Sequence, residues 1–138
     1  MRVAKLIPVT TLIAVMIGAP ACASPFDGTW STTAECPREP GGGEGYTWRF
    51  LSTIRDGQLH GQYGTPGKPA SATVEGLIEN NGSGTLHVVG IAGDSKYNIN
   101  NVPRGSPIDY QVSVRFEAAR GSGERLSGRT CHYTFLRQ

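Results

Sequence analysis

The chain is poor in the residues that most often carry chemistry or hold a metal, with three cysteines, three histidines and two methionines among 138 residues. It also lacks an excess of charge of one sign. Lys and Arg together number 13 and Asp and Glu 11; setting aside Arg2 and Lys5, which fall in a leader segment, leaves 11 of each. A neutral body with no basic stripe has little electrostatic hold on phosphate, which argues against nucleic acid and an acidic membrane surface as partners. After residue 23 there is no long hydrophobic run, so no membrane-crossing helix, which needs about 20 apolar residues, is expected. Nor does any window of ten residues there carry an i, i+3, i+4 apolar stripe, so no substantial helix is expected either. A chain of 138 residues is enough for one core and too short for two domains.

The first feature present is an address. Arg2 and Lys5 precede a mostly apolar run from Leu6 to Ala19, which ends in Ala21-Cys22-Ala23, small residues at the spacing a signal peptidase reads. Residues 1–23 are therefore read as a secretory signal and 24–138 as a single periplasmic or secreted domain. The alternative is a lipoprotein box at Ala19-Pro20-Ala21-Cys22, with Cys22 acylated, against which Pro20 and the absence of Leu at position 19 speak. Two cysteines then remain, Cys36 and Cys131. In an oxidising compartment they are expected to pair, closing a loop of roughly 100 residues and stabilising the fold by about 4–5 kcal/mol on the chain-entropy account. No histidine stands at ligand spacing beside them, so neither a metal nor a cofactor is expected.

From Asp27 onward, short segments of period-two alternation are separated by Gly, Asn, Asp and Pro clusters, the pattern of an all-β domain. Tyr46, Trp48, Phe50 and Ile54 alternate with Thr47, Arg49, Thr53 and Arg55, with Ser52 on the apolar face and Leu51 on the polar one. Asp56-Gly57 signals a two-residue type I′ turn, because both positions need positive φ. Gln58 to Tyr63 then returns as the partner strand, placing Ile54 opposite Leu59 and Phe50 opposite Tyr63. Further strands are read at Ala72 to Glu79, Gly84 to Gly90 and Asp109 to Ala118, with a short one at Lys96 to Asn100 inside the irregular stretch Ile91 to Pro107. The first strand spans Asp27 to Cys36 and the last Arg129 to Arg137.

Eight strands in sequential hairpins make the first and last antiparallel. Cys36 and Cys131 then become neighbours, as a disulfide requires, and the pair marks closure of an eight-stranded antiparallel up-and-down barrel. The same register brings Arg137 over Trp30 as a cation–π lid worth about 0.5–2 kcal/mol. An open two-sheet sandwich with the same bridge is the alternative.

The opening Phe26-Asp27-Gly28-Thr29-Trp30-Ser31 resembles the Gly-x-Trp first strand of lipocalins and avidins, which implies their barrel fold and a ligand in the barrel mouth. A longer resemblance is to a group of small exported proteobacterial proteins with no assigned activity. It runs through Phe26-Asp27-Gly28-Thr29-Trp30, Cys36-Pro37, Asp56-Gly57, Leu59-His60-Gly61 and Gly64-Thr65-Pro66-Gly67-Lys68-Pro69, then Arg115-Phe116, Gly121-Ser122-Gly123, Arg129 and Cys131. It implies a bacterial origin and no mechanism.

For chemistry the residues offer little. His60, His87 and His132 all fall on outward positions of strands, away from any candidate nucleophile. Asp27, Asp94, Asp109 and Glu117 are scattered rather than paired in a cleft. Gly41-Gly42-Gly43-Glu44-Gly45 is followed by neither a helix nor Lys-Ser/Thr and reads as a flexible loop, not a phosphate cradle. What remains is aromatic. Strand parity points Trp30, Tyr46, Trp48, Phe50, Tyr63, Tyr110, Phe116, Tyr133 and Phe135 inward. The candidate ligand-binding set is Tyr46, Trp48, Ser52, Tyr63, Tyr97 and Tyr110, lining a mouth beside Thr32 and the long loop. The expected role is non-enzymatic binding of a small amphipathic molecule there. The alternative is inhibition of a lysozyme or protease through the loops Pro37 to Gly45, Gly64 to Ser71 and Ile91 to Pro107, with Tyr97 to Arg104 as the inserted tip.

Overall fold

The computed structural model describes residues 4, 11–15 and 23–138. Most of the expected signal sequence, Cys22 included, lies outside the described residues. The eight strands are β1 (Gly28–Cys36), β2 (Tyr46–Arg55), β3 (Gln58–Tyr63), β4 (Ser71–Leu77), β5 (Ser83–Ile91), β6 (Pro107–Phe116), β7 (Arg120–Arg125) and β8 (His132–Arg137). They pair antiparallel in chain order and close into a barrel, β8 returning to β1. The closing ladder runs from Trp30 opposite Arg137 to Glu35 opposite His132. One step beyond it, Cys36 and Cys131 are joined with their Cα atoms 4.2 Å apart, near the spacing of a non-hydrogen-bonded antiparallel pair. The barrel, not the sandwich, is the fold.

Two expectations about the strands need correction. Lys96 to Asn100 is not a strand; it forms two short 3-10 turns, Ser95–Tyr97 and Ile99–Asn101. Its polar side chains compete with any ladder: Asp94 accepts from the Lys96 amide, and Asn98 donates to the carbonyls of Gly93 and Val102. The missing strand is β7, whose inward positions are Gly121, Gly123 and Arg125 and so show no apolar alternation. Cβ atoms at Gly121 and Gly123 would come within 2.9 Å of the Phe116 ring and 2.7 Å of Val114. The neighbouring side chains already fill that space. One strand lost and one gained leaves the number at eight and the parity intact. The last strand also begins later than expected, at His132, because Arg129 is drawn into the loops.

The Asp56-Gly57 turn has φ of 51° and 80°, both positive as type I′ demands. Its ladder holds Ile54 opposite Leu59 but stops at Ser52 opposite Gly61; Phe50 and Tyr63 meet only through their rings, centroids 6.4 Å apart. Asp27 accepts from the amides of Asp56 and Gly57 and ties the turn to the start of β1.

Inward side chains make the core and seal one end of the cylinder. Trp30 is fully buried, meets Phe116 edge-on at 5.0 Å and donates its indole N–H to the Phe26 carbonyl. The Arg137 guanidinium lies 4.9 Å over the Trp30 ring and donates to the carbonyls of Pro25, Asp27 and Ala118. The opposite end carries the β1–β2, β3–β4, β5–β6 and β7–β8 loops and stays open. Among the described residues, no helix is long and apolar enough to cross a membrane.

Candidate functional site at the open end

Strand alternation aims Tyr46 and Trp48 of β2 and Tyr63 of β3 inward near the rim. There Trp48 stacks on Tyr63 at 4.9 Å with planes 16° apart, and Tyr46 leans on Trp48 at 5.3 Å. The β5–β6 loop bends over this wall and brings Tyr97 edge-on to Tyr46 at 6.2 Å. Between wall and loop lies an open cleft of about 490 Å³, whose rim adds Asp94, Asn98 and Arg104. Its volume is in the range of small-molecule sites, and its mix of aromatic faces with a few polar groups is their usual lining.

A second cleft, of about 320 Å³, lies on the other side of Tyr46 and Tyr97 and includes Tyr110, Arg125 and Arg129. Arg125 covers the Tyr110 ring at 3.9 Å. The hydroxyls of Tyr110 and Tyr133 share a buried hydrogen bond of 2.5 Å. Burial pushes the Tyr110 phenol up to about 12, with the Tyr133 hydrogen bond pulling the other way. Tyr133 is raised further still, by burial first and then by its neighbour Tyr110. Tyr46 is also raised by burial, which outweighs the cations of Arg129 and Arg125.

The six residues singled out from the sequence divide three ways. Tyr46, Trp48, Tyr63 and Tyr97 come together around the first cleft. Tyr110 belongs to the second. Ser52 lines neither; it is wholly buried in the shaft, sharing a 2.8 Å hydrogen bond with Thr32.

The residue that organises this end was not in the set. Arg129 is 4% exposed and donates to the carbonyls of Tyr97, Pro37, Gly43 and Glu44, joining three loops, while its guanidinium lies 4.9 Å from the Tyr46 centroid. The Gly-rich loop expected to be flexible is therefore braced, and Glu44 further donates its amide to the Lys96 carbonyl. The available signal was weak: an arginine two residues before a disulfide cysteine, in a segment otherwise read as strand.

Each histidine does stand outward, and each meets a carboxylate: His60 with Glu75 at 2.9 Å, His87 with Asp109 at 2.7 Å and His132 with Glu124 at 2.6 Å. Proximity of this kind is one requirement of hydrolytic chemistry. All three pairs, however, lie more than half exposed on the outer wall; His60–Glu75 and His132–Glu124 stand away from both clefts, and of the third pair Asp109, but not His87, lines the second cleft. Among the described residues no three His, Cys, Asp or Glu converge on a point that would hold a metal ion. In comparisons with known proteins, no family model, curated protein or solved structure matches the chain.

Proposed function

We propose that this is an exported binding protein that takes a small, planar, amphipathic molecule in the cleft at the open end, without transforming it. The observation that carries the reading is the parallel stack of Trp48 on Tyr63, continued by Tyr46 and Tyr97, around a cleft of about 490 Å³. Aromatic faces receive flat apolar surface at little entropic cost, while Asp94, Asn98 and Arg104 at the rim offer polar partners. The lipocalin- and avidin-like first strand supports the same reading, since those barrels also hold ligands at an open mouth. Export through the 1–23 signal fits a domain closed by a disulfide.

Titration with a neutral planar probe such as 1-naphthol, followed by calorimetry, tests it. Binding in the wild type that weakens roughly tenfold or more in Trp48→Ala supports the reading. Equal binding in Trp48→Ala, or none in either protein, overturns it.

A second reading, inhibition of a secreted enzyme through the loops, draws support from the Arg129 brace. A loop held in one conformation loses less entropy on entering an active site. A stoichiometric complex with a lysozyme or protease that Trp48→Ala leaves intact would favour this reading over the first.

A further inference from the structure

The second cleft differs from the first in charge. Both cations at its wall, Arg125 and Arg129, lack a carboxylate within 4 Å; among the described residues every short ion pair involves a histidine instead. Asp109 also lines this cleft, but its carboxylate bonds His87 on the outer wall rather than either arginine, and that of nearby Glu39 accepts the Thr130 amide. A guanidinium as deeply buried as that of Arg129 ordinarily has a counter-ion. Here it has carbonyl dipoles and the Tyr46 ring, and its Nε has no acceptor among the described residues. Arg137, at the closed end, makes a useful contrast: it also holds carbonyls over an indole, but it is less buried and the Asp27 carboxylate feels its charge.

We propose that this cleft is an anion subsite, and that the molecule taken at the open end is an aromatic acid whose ring lies along Trp48 and Tyr63 and whose carboxylate sits beside Arg125 and Arg129. This rests on the reading of the mouth as a ligand site and specifies its chemistry. The two clefts share Tyr46, Ala92, Tyr97, Asn98 and Ile108, so they adjoin, and a ligand that occupies both spans these side chains. The distance to be spanned is short: the Arg129 guanidinium lies 4.9 Å from the Tyr46 centroid, which is 5.3 Å from that of Trp48. Planar guanidinium groups match carboxylates in geometry as well as charge.

The experiment uses the chain expressed with its own leader and recovered after export, disulfide intact. Indole-3-propionic acid, its neutral primary amide and plain propionate are each titrated by calorimetry at low and high salt. The acid is expected to bind roughly tenfold or more tighter than the amide, as a charge-assisted hydrogen bond implies, and to lose much of that advantage at high salt. Arg129 braces the loops, so the decisive variant is Arg125→Gln, which leaves that brace in place; it should bring acid and amide together. Equal affinities in the wild type, both weakened by Trp48→Ala, overturn the anion subsite and leave the aromatic mouth standing. Discrimination that survives Arg125→Gln and Arg129→Gln, with circular dichroism showing both folded, also overturns it. If neither acid nor amide binds, the mouth falls as a site for planar ligands, and the subsite with it.

Discussion

At the scale of single residues, the glycines of β7 and the phenols of the interior decide most. Gly121 and Gly123 leave room for Phe116 and Val114, so Gly123→Val should cost about 1–3 kcal/mol through overpacking, visible as a lower urea midpoint. An unchanged midpoint would mean that the neighbouring side chains yield freely. Tyr110 and Tyr133 stay protonated in the folded barrel when free tyrosine, at about 10, would ionise. A raised folded value means that their contribution to stability is whole below pH 10 and is lost as pH climbs toward about 12. Alkaline unfolding should therefore begin above pH 10, with a late phenolate absorbance step. Tyr110→Phe should flatten that loss. At the acid end the sign reverses. Burial pushes the Asp27 carboxyl up, but the amides of Gly57, Asp56 and Ser24 together with Arg137 hold it below its ordinary range. Its stabilisation is thus present above the usual aspartate value and fades as pH falls through the folded one. Asp27→Asn should remove this acid dependence, as thermal melts at descending pH would reveal.

At the scale of elements, what was legible in the sequence was whatever alternates. β6 puts apolar side chains on every inward position, and β2 and β3 do so except at the facing pair Ser52 and Gly61; a period-two pattern of that kind specifies both strand and face. β7 escaped because the space at its inward Gly121 and Gly123 is filled by side chains from a neighbouring strand and its third inward position is the charged Arg125; such a strand leaves no apolar periodic trace of its own. The segment Lys96 to Asn100 misled for the opposite reason. It is compatible with a strand in propensity, but Asp94 bonds the Lys96 amide and the Asn98 side chain ties together the carbonyls of Gly93 and Val102 on either side of the segment. The candidate site divides along the same line. Tyr46, Trp48 and Tyr63 were readable from parity, whereas Arg129 depends on contacts with residues as far away in sequence as Pro37. Replacing it shows how much of the open end hangs on one side chain. Arg129→Met should release the three loops, raising amide exchange at Lys96 to Asn98 and near Glu44 while the strands keep their protection, and lowering stability by about 2 kcal/mol. Exchange rates unchanged in those loops would show that they hold their shape without it.

At the scale of the whole molecule, the barrel is a ring whose last join is doubly secured, by the β1–β8 ladder and by the Cys36–Cys131 bridge. Cys36→Ser should lower stability by about 2–5 kcal/mol, measured by denaturant melts against the oxidised parent; an equal midpoint would count against the bridge as a stabilising element. By itself the sequence determined the all-β class, the faces of most strands and the pairing of its ends. These follow from local alternation, turn chemistry and the parity of the strand number, and the parity survived two compensating misreadings. Only the tertiary structure decided that Ser52 is sealed in the shaft, that glycines line one strand and that an arginine from the β7–β8 loop gathers three loops around the aromatic mouth. Those outcomes depend on which residues distant in the chain meet once the ring closes, and distance across a closed ring leaves no mark on the order of residues along it.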